Sequence, residues 1–193
     1  MKKIYFVTSN KGKQAEAEEK LSAVGFDVIQ HNIGYPEIQA DTLEEVAGFG
    51  VEYIQKRFDK PFFLEDAGLF VDCLKGFPGV YSSYVFRTIG CRGILKLMDG
   101  EKNRKATFRS VIAYKEPGKK PVFFVGECHG DIATEELGSH GFGFDPIFIP
   151  SGENRTFAQM EIKEKNLLSH RGRSLDKLAD FFKKQRIENF KSL

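Results

Sequence analysis

Glu65 and Asp66 lie side by side between two apolar runs in residues 61–71, PFFLEDAGLFV. An unpaired carboxylate in apolar surroundings is expensive, so such a pair calls for a metal ion, a basic partner or a proton. A strand end that opens to solvent, with both acids hydrated, would relieve the same cost. A second group, Thr8-Ser9-Asn10-Lys11-Gly12-Lys13, is a polar turn ahead of a helical pattern. Free backbone N–H groups and the dipole at a helix N-terminus favour an anion there. Thr8, Ser9 and Asn10 add neutral polar groups, and Lys13 adds a charge. It is not a Walker A loop, because Val7 stands where the first glycine belongs and Gln14 where Ser or Thr is needed. An ordinary capped helix with a solvated lysine has the same composition. In the third group, GSHGFGFDPIFIP at 138–150, Gly141 and Gly143 permit close backbone approach between Phe142 and Phe144, and Asp145 follows. That order suits a flat ring stacked on phenylalanine with its edge read by an acid or by backbone. A glycine-rich turn with aromatic plugs is the plainer reading. The fourth group is a compact set of donors, Ser169-His170-Arg171-Gly172-Arg173, preceded by Lys163 and Lys165.

Alternating segments must position these groups. Residues 3–8 read as a buried strand, 13–24 as a helix with Ala17, Leu21 and Val24 on one face, and 27–32 as a second strand, with Gly25 stopping the helix. Strand, helix, strand is an α/β opening with a parallel pair. Thr42-x-x-Glu45 fits a capping box before a helix that carries Leu43, Val46, Ala47, Gly50 and Ile54 on one face. Glu45 therefore has two possible uses, as a cap or as a first-turn acid facing a ligand. The acidic run reads as a strand that ends at Gly68. Residues 82–98 form one helix or two short ones, since Gly90 and Gly93 interrupt them. Residues 106–115 and 121–132 read as an antiparallel hairpin around Pro117-Gly118, 147–149 as a short strand and 162–168 as a short helix. Leu175, Leu178, Ala179 and Phe182 mark a final amphipathic helix. The expected fold is α/β, a mixed twisted sheet flanked by helices. With no repeat and no linker, residues 1–193 read as a single domain.

Composition excludes several classes. The 193 residues are 41% hydrophobic and 29% charged, which is ordinary for a globular protein. A net charge of +2 without a clustered basic face gives no reason to expect nucleic-acid binding. Cys73, Cys91 and Cys128 form no C-x-x-C pair and are expected as reduced thiols in the cytoplasm. The four histidines lack zinc-ligand spacing. The apolar stretch near the N-terminus is too short for a signal peptide, and no apolar run is long enough to span a membrane.

Taken together and in order, these stretches resemble the inosine triphosphate pyrophosphatase family, the Ham1-like non-canonical purine NTP pyrophosphatases. Thr8-Ser9-Asn10-x-x-Lys13, Glu65-Asp66-x-Gly68, Gly76-x-Pro78-Gly79-x-Tyr81-Ser82, Gly141-Phe142-Gly143-Phe144-Asp145-Pro146-x-Phe148 and Thr156-Phe157-Ala158-Gln159-Met160 through Ser169-His170-Arg171 carry the likeness. The resemblance implies an elongated two-lobed fold with the cleft between lobes, and a cytoplasmic homodimer acting on nucleotides. It implies magnesium-dependent cleavage of ITP, dITP and XTP to monophosphate and pyrophosphate. By the same resemblance Glu45 (or its neighbour Glu44) and Asp66 hold magnesium, and Asp66 also activates water. Thr8, Ser9, Asn10, Lys13 and Lys165 hold phosphates, and Phe144, Asp145, His170 and Arg171 form the base site. Glu65, Ala67, Phe142 and Gly143 surround them. Ala67 departs from the family's usual Ser or Thr. The Maf-like nucleotide pyrophosphatases and a non-catalytic nucleotide-binding module are the rival readings.

Overall fold

The computed structural model describes residues 2–191. Its sheet has seven strands: β1 (Lys2–Val7), β2 (Phe26–His31), β3 (Phe62–Val71), β4 (Pro78–Gly79), β5 (Lys105–Lys115), β6 (Val122–Ile132) and β7 (Phe148–Pro150). The order is β2-β1-β3-β5-β6-β7, with β4 paired to β3. β1 runs parallel to β2 and β3, while the other pairs are antiparallel, so the sheet is mixed as expected. The helices are α1 (Lys11–Ser22), α2 (Leu43–Ile54), α3 (Ser82–Thr88), α4 (Gly90–Leu97), α5 (Ile162–Leu168) and α6 (His170–Lys191).

β3 carries the acids, and it does not stop at Gly68. Phe62–Leu64 pair in parallel with Tyr5–Val7, and Leu69 and Phe70 pair with β4. Between them, residues 65–68 have no strand on that edge among the described residues, while β5 pairs along the whole opposite edge. The expected strand end is therefore a gap in pairing in mid-strand. Gly68 is present for close approach, because a Cβ there would lie 2.3 Å from the Gly79 carbonyl oxygen.

Apolar packing covers both faces of the sheet. Ala17 and Leu21 of α1 and Leu175, Leu178 and Phe182 of α6 pack on Phe63, Ile112 and Phe124. On the other face Leu43, Ala47, Val51 and Ile54 of α2 pack on Phe62, Leu64, Val111 and Ala113. Toward β7, Phe108, Phe148, Phe157 and Ile94 form a further cluster. The region 82–98 resolves into two helices with the break at Gly90, whose φ is +61°. No helix among the described residues is long and apolar enough to cross a membrane.

Candidate active site

The gap in β3 opens into a cleft of about 520 Å³. Its walls include Thr8, Ser9, Asn10, Lys13, Glu65, Asp66, Ala67, Phe142, Gly143, Phe144, Asp145, His170 and Arg171. Sequence positions 8 to 171 thus meet around one concavity, of a size suited to a small-molecule ligand. Glu45 and Lys165 are not on its walls.

At one end stands the polar turn before α1. The helix starts two residues earlier than its apolar pattern suggests, because Asn10 is the N-cap and its Oδ1 accepts from the Lys13 N–H at 3.0 Å. Thr8 Oγ1 accepts from the Asn10 N–H. Lys13 reaches over β3, with its Nζ 2.7 Å from Glu65 Oε2 and 3.1 Å from the Glu65 carbonyl oxygen.

From Lys13 a chain of charges runs through the protein. Arg171 Nε lies 3.1 Å from Glu65 Oε1, and Arg171 Nη1 lies 2.6 Å from Glu16 Oε2. Lys165 Nζ then bridges Glu16 Oε1 at 2.7 Å and Asp145 Oδ2 at 2.6 Å. Asp145 Oδ2 also accepts from the Phe142 N–H. On formal charges Lys13, Lys165 and Arg171 balance Glu16, Glu65 and Asp145. Burial works against ionising Glu65, yet Arg171 and Lys13 outweigh it and hold its carboxyl well below the carboxylate range.

Asp66 stands outside this balance. Burial pushes its carboxyl up to about 7, Lys13 opposes the shift, and Glu65 and Glu37 add to it. Its Oδ2 is buried and has no hydrogen-bond partner. Glu37 is on the cleft wall, in the loop after β2, and its carboxylate lies 3.3 Å from Arg87 Nη2. Tyr35 is also on the wall, and a Cβ on Gly50 would sit 3.0 Å from its ring. Burial first, then Asp66, keeps the Tyr35 phenol protonated.

The aromatic end is built differently. His170 lies flat on Phe108, with centroids 4.5 Å apart and planes 8° from parallel. Burial, then the Arg171 charge, hold the His170 imidazole neutral. Its Nδ1 is buried without a partner. Phe144 meets Phe86 edge-on at 5.4 Å. The Phe142 ring lies below Lys165 at 4.7 Å and Arg171 at 5.2 Å. It also rests on α1, where a Cβ at Gly12 would fall 2.4 Å from the ring.

Two sequence expectations meet a different placement. Glu45 completes the capping box of α2: its Oε2 accepts from the Asp41 and Thr42 N–H groups, both at 3.0 Å, which lower its pKa. Neighbouring Glu44 is taken by Arg109, through contacts of 2.6 and 3.1 Å. The carboxylates that share the cleft wall with Asp66 are Glu37, Glu65 and Asp145, and of these Glu65 and Asp145 are held by the buried cations. Lys165 is enclosed behind Asp145 and is not on the cleft wall. Reasoning from sequence also missed Glu16 and Phe108.

The Ham1 family profile matches residues 4–181. The dITP/XTP pyrophosphatase of Thermococcus kodakarensis is 59% identical over 181 residues, covering 94% of this chain and 97% of that protein. The protein of the same name from Pyrococcus horikoshii is 51% identical over equal shares of both chains. Among solved structures, a HAM1 protein from Coxiella burnetii superposes with a TM-score of 0.84 at 29% identity, covering 95% of this chain and 100% of that one.

Proposed function

The chain belongs to the Ham1 family, and from that premise we propose that it hydrolyses non-canonical purine nucleoside triphosphates (dITP, ITP and XTP) to monophosphate and pyrophosphate. Relatives named dITP/XTP pyrophosphatase support the substrate class. The observation that carries the reading is the division of the cleft. The capped turn before α1 and a carboxylate with one unpartnered oxygen stand on one part of its wall, and Phe142, Phe144, His170 and Arg171 stand on another.

In this reading Thr8, Ser9, Asn10, Lys13 and the first N–H groups of α1 hold the phosphates, since the helix end and the lysine both favour negative charge. A magnesium ion fits the residues present. The orphaned Asp66 Oδ2 and the Glu37 carboxylate supply hard oxygen ligands, and substrate phosphates supply others, so no larger cluster of protein ligands is needed. Bound there, the ion would neutralise phosphate charge and make an attacking water more acidic. Asp66, on the cleft wall, would take a proton from an attacking water. Attack at the α-phosphate needs positioning and charge neutralisation, not a covalent nucleophile. The Phe144 ring flanks the base, and donors of His170 and Arg171 meet the oxygen at its C6. Adenine carries an amine there, which would leave those donors unpaired. Lys165 serves this end too, by fixing Asp145 behind the ring.

Incubation with magnesium and, separately, XTP, dITP, GTP, ATP and dTTP tests the proposal. Monophosphate plus pyrophosphate from XTP and dITP, with slow ATP, is expected. Asp66→Asn should lower the rate by about 10²–10⁴-fold. Diphosphate plus phosphate would reject the reaction type, and a preference for dTTP would reject the purine pocket.

We also propose a cytoplasmic homodimer. Its support is the free state of Cys73, Cys91 and Cys128 and the exposed apolar side chains of residues 77–97, among them Tyr84 (59% exposed) and Leu97 (50%). Light scattering should give twice the chain mass, and Tyr84→Glu should halve it.

A further inference from the structure

Three small residues lie in one row across the sheet. Ser110 of β5 faces Ala67 of β3 on one side and Gly126 of β6 on the other. The first turn of α6 rests on this row: a Cβ at Gly126 would stand 2.0 Å from the His170 carbonyl oxygen and 2.5 Å from the Ser174 N. Ser110 is fully buried, as is Ser174. Ala67 brings no hydroxyl to the row, and Ser110 does. Its Oγ donates to Glu65 Oε1 at 2.8 Å and lies 2.9 Å from Ser174 Oγ, which in turn lies 3.0 Å from the Arg171 carbonyl oxygen.

A serine hydroxyl has one proton and two lone pairs. With the proton spent on Glu65, Ser110 can only accept from Ser174, whose one proton is shared between Ser110 Oγ and the Arg171 carbonyl oxygen, so the pair sets the carboxylate beside the first turn of α6. Glu65 is the joint between the two ends of the cleft. Oε1 takes Arg171, and Oε2 together with the carbonyl oxygen takes Lys13. A carboxylate with two oxygens and three cationic or hydroxyl partners can satisfy all of them in only a narrow range of side-chain angles. Among the described residues Ser110 is the one uncharged side chain that donates to this carboxylate.

We propose that Ser110 is a positioning residue, which locks Glu65 so that one carboxylate holds Lys13 at the phosphate end and Arg171 at the base end in fixed register. The inference rests on the functional reading above for what each end binds. Its chemistry is general to any ligand with an anionic group at one end and a flat heterocycle at the other. Ser110 touches no substrate. It acts through Glu65, so its loss should be felt at both ends at once, as coupled networks behave.

The test is Ser110→Ala, which removes one buried oxygen and leaves the rest of the side chain in place. Titration calorimetry with magnesium pyrophosphate and with inosine, which carries the base without a phosphate, reads the two ends separately and needs no turnover. Both dissociation constants should rise together, by about threefold to tenfold, with the preference for XTP over ATP narrowing by a similar factor. A fall in melting temperature with both constants within twofold of the parent would overturn the inference and leave Ser110 a packing residue. Movement of one constant alone would overturn it too, because the ends would then not be joined through Glu65. If the parent binds pyrophosphate and inosine yet hydrolyses neither XTP nor dITP, the proposed reaction fails while the Ser110 prediction is still read. If the parent binds neither ligand, the inference itself is rejected.

Discussion

Asp66 and Glu65 are neighbours with opposite electrostatic fates, and the difference lies in their partners. Glu65 meets Lys13, Arg171 and Ser110, and stays ionised in spite of burial. Asp66 has a sealed oxygen without a donor, and its carboxyl rises to about 7. A raised carboxylate pKa has a definite sign in folding. The native state binds the proton more tightly than the unfolded chain does, so the stability it contributes is full below the unfolded value near 4 and is lost as pH rises through about 7. The metal-free protein should therefore lose melting temperature between about pH 4 and 7 from this group. Asp66→Asn should remove that part of the slope, which melting curves of both proteins across the range would show. An unchanged slope would mean the carboxyl titrates normally.

The elements show what could be read in advance and what could not. β1, β2, β5 and β6 were legible because each is a short apolar run bounded by turn residues. The capping box at Thr42 and Glu45 was legible for a similar reason, as a local pattern with a local cause. β3 was misjudged at Gly68, because a glycine that admits a neighbouring carbonyl looks the same in sequence as one that ends a strand. The motif residues of the cleft were also legible, except where a role depends on distant contacts. Glu16 sits in KGKQAEAEEKLS, which reads as a solvated face, and its partners Lys165 and Arg171 are 149 and 155 residues away. Glu37 lies in a loop with no periodicity to place it. Gly126 gives an element-scale prediction. Its missing Cβ lets α6 lie on β6, so Gly126→Ala should lift the first turn of that helix and cost about 1–3 kcal/mol. Urea unfolding would measure the cost. KM for XTP should rise more than the inhibition constant of pyrophosphate, since His170 and Arg171 travel with the helix and the turn at Thr8 does not.

For the whole molecule, the decisive feature is a sheet that leaves one edge of β3 uncovered between its two neighbours. Helices close both faces over apolar cores, so the gap is where a ligand can reach backbone and acids without disrupting a core. Elements from both ends of the chain converge there: α1 brings Lys13 and Glu16, and α6 brings His170 and Arg171. Contacts of such wide sequence separation make the site a product of the completed fold, and no segment of the chain holds it alone.

The ion chain from Lys13 to Asp145 also constrains how this sequence can drift. Three acids and three bases form one largely buried chain, so a single neutral replacement at its enclosed members leaves a buried charge without its counterpart and should cost about 3–5 kcal/mol. Glu16→Gln and Lys165→Met should each fall in that range by urea unfolding. Together they should cost well under the sum of the two, because the remaining charges balance again. Lineages could then leave this arrangement only in paired steps, each crossing an unstable intermediate. A charge set of this kind is inherited as a block, even where the surface around it changes freely.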